Sequence, residues 1–305
     1  MISYQDRVLA MLWGLHAGDS LGAPFEFLPP QPAWNTQTEI VGGGQFSWKP
    51  GEATDDTDLM LCVLRSLQNF RHISFDILKK EMLAWFASKP PDIGLTTVRG
   101  LRNLAAGVPL KECGWVNNNP RGQGNGSLMR VAPLALLDDV AVGTYGTEKI
   151  YGLREIITTQ AKMTHGHQYC VDCDMVLVPV VKALLNRASK EQAFALALRM
   201  AGQESPLIYE RLKNLLNLKW EELPTSGFCV DTLCAALWAF IKYDSFENAV
   251  TAVINRGDDS DSCGAVAGVL CGAYYGTQAI PVRWLAKLEF RDEIQQQVAA
   301  FFGQN

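Results

Sequence analysis

The sequence predicts an all-α fold, a compact orthogonal bundle of about a dozen helices that forms one domain over residues 1–305. Apolar residues recur at helical spacing through most of the chain, as in "TDLMLCVLRSLQNF" (57–70). Alternating polar and apolar stretches of strand length are nearly absent. Loops rich in Gly, Pro, Asn and Asp separate the periodic segments and mark where one helix ends and the next begins.

Each predicted helix rests on its own periodic segment. The segment after 57–70, "SFDILKKEMLAWFASKP", begins at the N-cap candidate Ser74 and stops before Pro90 and Pro91. Other helical patterns fit about 5–17, 127–137, 147–162, 168–187, 190–203, 229–243, 246–254, 260–275 and 288–302. The stretch 201–227 has the weakest pattern, and we expect a mobile flap there rather than a domain boundary.

Four loops stand out between the predicted helices. They are "GDSLGAPFEF" (18–27), "VGGGQFSWKPGEATDDTD" (41–58), "SKPPDIGLTT" (88–97) and "NNNPRGQGNGSLMR" (117–130). Loops held on a rigid scaffold carry a disproportionate share of binding and catalytic residues. We therefore expect the functional site to be built from these loops.

Composition excludes several classes of protein. The net charge of −5 provides no basic field, so we expect no DNA-binding surface. The sequence contains no apolar run of about 18 residues, so no membrane span is predicted. The first residues make a poor signal peptide, which favours a cytoplasmic location. The eight cysteines are expected to be small buried hydrophobes in a reducing compartment, because the lone Cys170-x-x-Cys173 pair is weak evidence for zinc.

Two acidic clusters stand at predicted helix starts. In "ATDDTD", Thr54 is a candidate N-cap, and Asp55 and Asp56 fall in the first turn. The second cluster, "DDSDS" (258–262), stands in the same relation to the helix that follows it. Small residues recur over 264–273, so we expect neighbouring backbones to approach this helix closely and leave its mouth poorly solvated. A metal site and a pair of unrelated helix caps both fit this pattern, since the helix dipole favours an acid at an N-terminus by about 0.3–1 kcal/mol.

The metal interpretation follows from charge. Like charges in a poorly solvated mouth raise one another's pKa unless cations hold them ionised. Five carboxylates are candidates: Glu26, Asp55, Asp56, Asp259 and Asp261. Two divalent ions would nearly neutralise them, and an oxygen-only ligand set suits Mg²⁺, Mn²⁺ or Ca²⁺ rather than Zn²⁺.

These motifs resemble those of the ADP-ribosylglycohydrolase family over most of the chain, from about residue 6 to 290. "GLHAGDSLGAPFEF" is similar to the family's opening G-x-x-x-G-D-x-x-G-x-x-x-E element. "TDDT", "GNGSLMRVAPLAL" and "THGH" match further motifs, and "NRGDDSDSCGAVAGVLCGAYYG" resembles N-x-G-G-D-x-D-T with its Gly/Ala helix. "KPPDIG", "FCVDT" and "IPVRWLAKL" look closest to the dinitrogenase reductase-activating glycohydrolase subfamily, which removes ADP-ribose from an arginine.

The resemblance implies an all-α fold around a central cleft that holds two Mg²⁺ or Mn²⁺ ions. The implied metal ligands are Thr54, Asp55, Asp56, Asp259, Asp261 and Ser262. The implied catalytic residues are Glu26, a mobile acid near the metals and the scissile ribose, and Asp92, which would face the substrate arginine. The implied substrate-binding residues are Gly94, Asn125, Gly126, Ser127, Met129, His165 and Phe228.

The resemblance also implies a function. We expect a metal-dependent hydrolase that removes ADP-ribose from a modified acceptor, with ADP-ribosyl-arginine on a protein as the expected substrate. ADP-ribose would be the product, and the protein is expected to act as a monomer. Reversal of a regulatory modification and immunity to an ADP-ribosylating toxin both fit this chemistry.

The sequence departs from the family pattern at four positions. Asp258 replaces the second Gly of N-x-G-G-D and adds a charge beside the expected metals, and Ser262 replaces the final Thr but keeps its hydroxyl. Leu95 stands where an Asn is expected three residues after the arginine-facing acid, and Phe228 stands where the subfamily has Tyr. The last two departures bear on the acceptor rather than on the metal core.

Two other classes of protein share some of these features. An isoprenoid-diphosphate enzyme is also all-α with Asp-rich Mg²⁺ motifs, but "DDTDL" has Leu59 where D-D-x-x-D needs its third acid. A non-catalytic ADP-ribose binder or structural descendant of the family would be expected to lose metal ligands. From the residues alone, the Gly-Asn-Gly loop also fits a plain turn, and His165 fits a helix cap or a hydrogen-bonded core histidine.

Overall fold

Thirteen α-helices and two short two-stranded sheets form the described part of the chain, and they confirm the predicted all-α fold. The computed structural model describes residues 2–32, 36–70, 72–114, 122–139, 143–145 and 148–303. Residues 117–121 of the predicted loop 117–130 therefore lie outside the described residues.

The helices follow one another with short connections. They are α1 (Tyr4–Gly22), α2 (Asp55–Ser66), α3 (Phe75–Ala87), α4 (Leu95–Ala105), α5 (Leu153–Lys162), α6 (Gln168–Leu185), α7 (Lys190–Glu204), α8 (Pro206–Leu215), α9 (Cys229–Lys242), α10 (Phe246–Ile254), α11 (Ser260–Tyr275), α12 (Val282–Leu285) and α13 (Arg291–Gly303). The strands are β1 (Leu67–Asn69), paired antiparallel with β2 (His72–Ile73), and β3 (Gly143–Tyr145), paired antiparallel with β4 (Glu148–Ile150).

Helices α1 and α11 form the centre of the fold, because their small residues let the two backbones touch. A Cβ atom added at Gly264 would lie 2.5 Å from the carbonyl oxygen of Gly18, and a Cβ at Gly14 would clash with the carbonyl of Gly268. Every residue of α11 from Ser260 to Ala273 is buried. The expectation of a central, tightly packed helix behind the second acidic cluster is confirmed.

The remaining helices pack around this pair. Helices α9 and α10 contact α11, while α6 packs against α5, α7 and α9. Helix α2 packs against α3 on one side and contacts α1, α11 and α13 on others. The mouths of α2 and α11 are thereby brought to the same side of the central pair.

Several predicted boundaries are wrong for physical reasons. The helix expected at 57–70 ends at Ser66, because the chain then enters β1 and pairs with β2. The helix expected at 127–137 is reduced to a 3₁₀ turn over Ala132–Leu136, with Pro133 in its first turn. The helix expected at 147–162 begins only at Leu153, after β4.

Three helices were not predicted: α4, α8 and the four-residue α12. The stretch 201–227, expected as a flap, contains α8, whose Ile208, Leu212 and Leu215 are buried, so that expectation is wrong. Helix α4 was hidden by its Thr- and Val-rich start and by Gly100, which have low helix propensity. It is stabilised instead by burying one face against the rest of the fold.

All eight cysteines are buried and unpaired, as expected for small core side chains. No helix among the described residues is long and apolar enough to cross a membrane.

Candidate active site

The two acidic helix mouths meet in space. The Ser262 hydroxyl at the start of α11 donates to Asp56 Oδ2 at the start of α2, at 3.2 Å, across 206 positions of sequence. Thr54 is the N-cap of α2 and its hydroxyl accepts from the Asp56 amide at 3.3 Å. The convergence on which the metal interpretation depends is therefore present.

Most of the acidic side chains at these mouths do not cap the helices on which they lie. In α2, Asp19 of α1 supplies the extra acceptor, because its Oδ2 accepts from the amides of Thr54 and Thr57, each at 3.2 Å, and from the Thr57 hydroxyl. In α11, the N-cap residue Asp259 makes no side-chain capping hydrogen bond. Helix capping does not account for the carboxylates of Asp56 and Asp259, which accept no hydrogen bond from a helix amide among the described residues, although Asp261 Oδ1 does accept from the Ser262 amide at 2.9 Å.

Three carboxylates from different parts of the chain form a ligand-sized group. Oxygen atoms of Glu26, Asp92 and Asp261 all lie within 4.8 Å of one another. One carboxylate oxygen each of Glu26, Asp56 and Asp259 is buried and makes no hydrogen bond among the described residues. Buried oxygens without partners, in a set that contains no nitrogen or sulphur ligand, fit a hard divalent cation.

The electrostatics of the cluster point the same way. Burial raises the pKa of Glu26 to about 9, with the charge of Asp92 as the largest further cause. Burial also raises the pKa of Asp92 to about 6. Burial and the neighbouring carboxylates raise the pKa values of Asp55, Asp56 and Asp261 well above their usual range. Bound cations would offset the repulsion among these carboxylates and favour their ionised forms.

A cavity of about 600 Å³ opens above this cluster. The predicted site residues that line it are Glu26, Asp55, Asp56, Asp92, Gly94, Asn125, Gly126, Met129, His165, Asp259, Asp261 and Ser262. Thr54, Ser127 and Phe228 do not line it. Thr54 is buried as the cap of α2, Ser127 is buried beneath the loop, and the Phe228 ring packs against Tyr169 at 6.1 Å between centroids.

Another cavity, of about 620 Å³, lies near His72 and Lys111. Its lining mixes charges of both signs, and Lys111 is paired there with Glu155 at 2.9 Å. The acidic cavity is the better candidate because it alone of the two combines converging loops with unpartnered carboxylate oxygens.

The Gly-Asn-Gly loop forms one wall of the cavity and is tied to the acids. The Asn125 amide group donates to Thr232 Oγ1 at 2.9 Å and to Asp259 Oδ2 at 3.3 Å. Gly126 is required here because a Cβ atom at that position would lie 2.6 Å from Cε1 of His165. The loop is therefore held between α9, the second acidic mouth and the histidine ring.

Two residues with positive φ join the loops that carry Glu26 and Asp259 through backbone hydrogen bonds. Phe27 has φ 62° and Asp258 has φ 59°. The Phe27 amide donates to the Asp258 carbonyl at 2.7 Å, and the Asp258 amide donates to the Leu28 carbonyl at 2.8 Å. A left-handed residue at 258 explains the Gly of the family motif. The exposed Asp258 side chain does not line the cavity, although its charge contributes to the raised pKa of Asp259.

Sequence reasoning missed two buried charged residues that organise the site. Asp19 anchors the α2 mouth, and Arg130 lies fully buried behind the Gly-Asn-Gly loop. The available signal was the high cost of burying an unpaired charge within an apolar segment, which implies that each has polar partners.

Comparison with known proteins places this arrangement in a family. The ADP-ribosylglycohydrolase family model matches residues 1–305, and the chain belongs to that family. A solved structure titled "ADP-ribosylglycohydrolase-related protein complex" is similar with a TM-score of 0.80 at 33% identity, covering 99% of both chains.

Two relatives are similar over nearly the whole chain. ADP-ribosylarginine hydrolase Tri1 of Pseudomonas putida (strain GB-1) is 31% identical, over 97% of this chain and 78% of that protein. ADP-ribosyl-[dinitrogen reductase] glycohydrolase of Rhodospirillum rubrum is also 31% identical, over 99% of this chain and 97% of that protein. The prediction of an ADP-ribosylglycohydrolase enzyme is confirmed.

Proposed function

We propose that this protein is a metal-dependent hydrolase that removes ADP-ribose from an arginine of a modified protein. The observation that carries the proposal is the convergence of two acidic helix mouths whose carboxylate oxygens lack partners, next to Asp92. The names of the two relatives at 31% identity, one an arginine hydrolase and one a dinitrogen reductase glycohydrolase, support the acceptor.

The proposed metal ligands are those at the two mouths, and we expect them to hold two Mg²⁺ or Mn²⁺ ions. They are Thr54, Asp55, Asp56, Asp259, Asp261 and Ser262. Glu26 and Asp92 lie within ligand distance of Asp261, so either could also bind a cation during part of the cycle. When bound, such ions supply Lewis acidity and fix the ribose hydroxyls.

The two remaining carboxyl groups have different environments, as general acid–base cleavage of a glycosidic bond requires. Burial raises the pKa of Glu26 further than that of Asp92, so Glu26 is the carboxyl of this pair that more readily carries a proton for donation to the leaving nitrogen. Asp92 ionises more readily and can accept hydrogen bonds from the guanidinium of the acceptor. The Gly-Asn-Gly loop and the ring of His165 face the diphosphate and ribose in this proposal.

The acceptor enters past an apolar edge. Leu95, at the start of α4, lines the cavity and is 75% exposed, and Phe27 lines it at 58% exposure. These side chains can cover the aliphatic stem of an arginine while Asp92 binds its charged end. The partner in this proposal is an ADP-ribosylated protein, and free ADP-ribose is the product.

A single-turnover assay tests the proposal on three substrates, with ADP-ribose linked to arginine, to serine and to nucleic acid. We expect Mn²⁺- or Mg²⁺-dependent release from arginine, and its loss in Glu26→Gln and Asp92→Asn. Asp58→Asn is the matched control, because Asp58 lies in the first turn of α2 but accepts from Trp85 Nε1 at 2.8 Å. Binding of metal and ADP-ribose without release from any substrate would instead identify a non-catalytic binder.

A further inference from the structure

A buried arginine lies directly behind the wall of the cavity. Arg130 is 0% exposed and donates four hydrogen bonds. Its acceptors are Gly126 O at 2.7 Å, Thr164 Oγ1 at 2.8 Å, and both Oε1 and the carbonyl of Gln160, at 2.9 and 3.0 Å. One side chain therefore holds the Gly-Asn-Gly loop and the segment that leads into His165.

The hydrogen bond between Thr164 and His165 has a defined direction. Thr164 Oγ1 lies 2.8 Å from His165 Nδ1, and both residues are buried. A guanidinium can only donate, so Arg130 uses a lone pair of this hydroxyl. Among the described residues, Nδ1 is the acceptor that remains for the single hydroxyl proton, which would otherwise be buried without a partner. The hydroxyl thus donates, and Nδ1 carries a lone pair.

The other ring nitrogen faces the cavity. A Cβ atom at Gly126 would lie 3.0 Å from Nε2 of His165, and one at Gly124 would lie 3.3 Å from it. Burial and the positive charge of Arg130 lower the pKa of His165 to about 3, so the ring is neutral. A neutral ring whose Nδ1 accepts must carry its proton on Nε2.

We propose that Arg130 is a positioning residue that, through Thr164, fixes His165 as the Nε2–H tautomer, so that the ring donates a hydrogen bond to an oxygen of ADP-ribose. The binding step rests on the proposed function, because it needs ADP-ribose in this cavity. A neutral donor suits the site, since it binds an anionic ligand without adding a positive charge that would repel cations at the neighbouring acids.

A matched pair of variants tests this relay of hydrogen bonds from Arg130 through Thr164 to His165. Thr164→Val keeps the shape of the side chain and removes the hydroxyl, whereas Thr164→Ser keeps the hydroxyl. In ¹⁵N-histidine NMR spectra of the Mg²⁺-supplemented protein, we expect wild type and Thr164→Ser to show His165 protonated at Nε2. Thr164→Val should show a mixture of both tautomers. The His165 signals are assigned by their absence in His165→Gln.

Binding of ADP-ribose, measured by calorimetry, gives the functional readout. Thr164→Val should weaken binding by about tenfold, the effect of losing one oriented hydrogen bond to a charged ligand, and Thr164→Ser should restore it. In turnover, the change should lie in KM and leave kcat nearly unchanged, which a general loss of folding would not produce.

The outcomes separate the relay from the proposed function. Protonation at Nδ1 in wild type, or wild-type tautomer and binding in Thr164→Val, would overturn the relay. A folded Arg130→Lys that keeps the Nε2–H tautomer would remove Arg130 from it. If wild type shows the tautomer but does not bind ADP-ribose, the proposed function and the binding step fail while the relay stands.

Discussion

The mouths of α2 and α11 reach the same cavity but are built differently. At α2, Thr54 and Asp19 satisfy the helix amides, so the carboxylates of Asp55 and Asp56 are not needed as caps. At α11, Asp259 occupies the N-cap position without capping, and the Asn125 side chain holds it instead. At both mouths one carboxylate oxygen, of Asp56 and of Asp259, has no partner among the described residues and is free for a ligand.

A second contrast lies within α2 itself. Asp56 is fully buried at the cavity, with one oxygen bonded to Ser262 and the other without a partner among the described residues. Asp58, two positions later, turns away and accepts from Trp85. Asp56 and Asp58 look alike in the sequence but have different roles, because residues two positions apart on a helix point in different directions.

The largest expected effect is the loss of metal binding on substitution of an acid that lines the cavity, compared with substitution of Asp58. Asp261→Ala should abolish both metal binding and turnover, and Asp56→Asn should do the same from the opposite mouth, because each removes a buried ligand oxygen. Asp58→Asn should retain both. Isothermal titration with Mn²⁺, followed by turnover, measures this. A metal-replete, active Asp261→Ala would contradict the account.

The next expected effect is opposite pH dependence in the metal-loaded and metal-free proteins. The pKa of Glu26 is raised to about 9 and that of Asp92 to about 6, so cations must displace protons and bind more weakly as pH falls from 9 to 5. Each proton displaced changes affinity by up to about tenfold per pH unit.

Stability without metal should move the other way. Because these folded-state pKa values exceed the unfolded values of about 4, their stabilising contribution is complete below about pH 4 and is lost as pH rises from there through 6 for Asp92 and through 9 for Glu26. Thermal unfolding of EDTA-treated protein should show a Tm that falls over this range, while added Mn²⁺ raises Tm most at the alkaline end. Parallel pH curves with and without Mn²⁺ would show that these carboxyls do not bind the cation.

Much of the fold follows from periodicity. Helices α10 and α11 have the predicted bounds, because their apolar or small residues are continuous, α10 begins at the N-cap Ser245, and α11 ends at Gly276 with positive φ. Helix α4 and the start of β1 were missed, because tertiary packing and strand pairing overrode local propensity there.

Part of the site could be predicted from the sequence, and part could not. The meeting of the two acidic mouths followed from the cost of clustered charge, a non-local argument that needs no partner assignment. The roles of Asp19 and Arg130 could not be read in the same way, because each depends on particular partners from distant segments. That Asp258 and Asp58 take no part in the acidic cluster could not be predicted either. It depends on the backbone conformation at Asp258 and on the position of Trp85 beside Asp58.

The smallest expected effect concerns only the α11 mouth. Asp258→Gly should raise the free energy of unfolding by up to about 1 kcal/mol, because glycine adopts the positive φ of 59° without the steric cost of a side chain. Gly257→Ala is the matched opposite change. With φ 66° and a Cβ that would clash with the Leu28 carbonyl, it should destabilise the protein. Urea unfolding measures both, and a stabilised Gly257→Ala would show that this turn is not strained as described.

The most direct test of the central claim is an anomalous diffraction map of crystals grown with Mn²⁺. The account predicts two manganese peaks between the α2 and α11 mouths, each within bonding distance of carboxylates from the set Asp55, Asp56, Asp259 and Asp261. Saturating Mn²⁺ with no peak in this cavity, or with peaks confined to other surfaces, would contradict it.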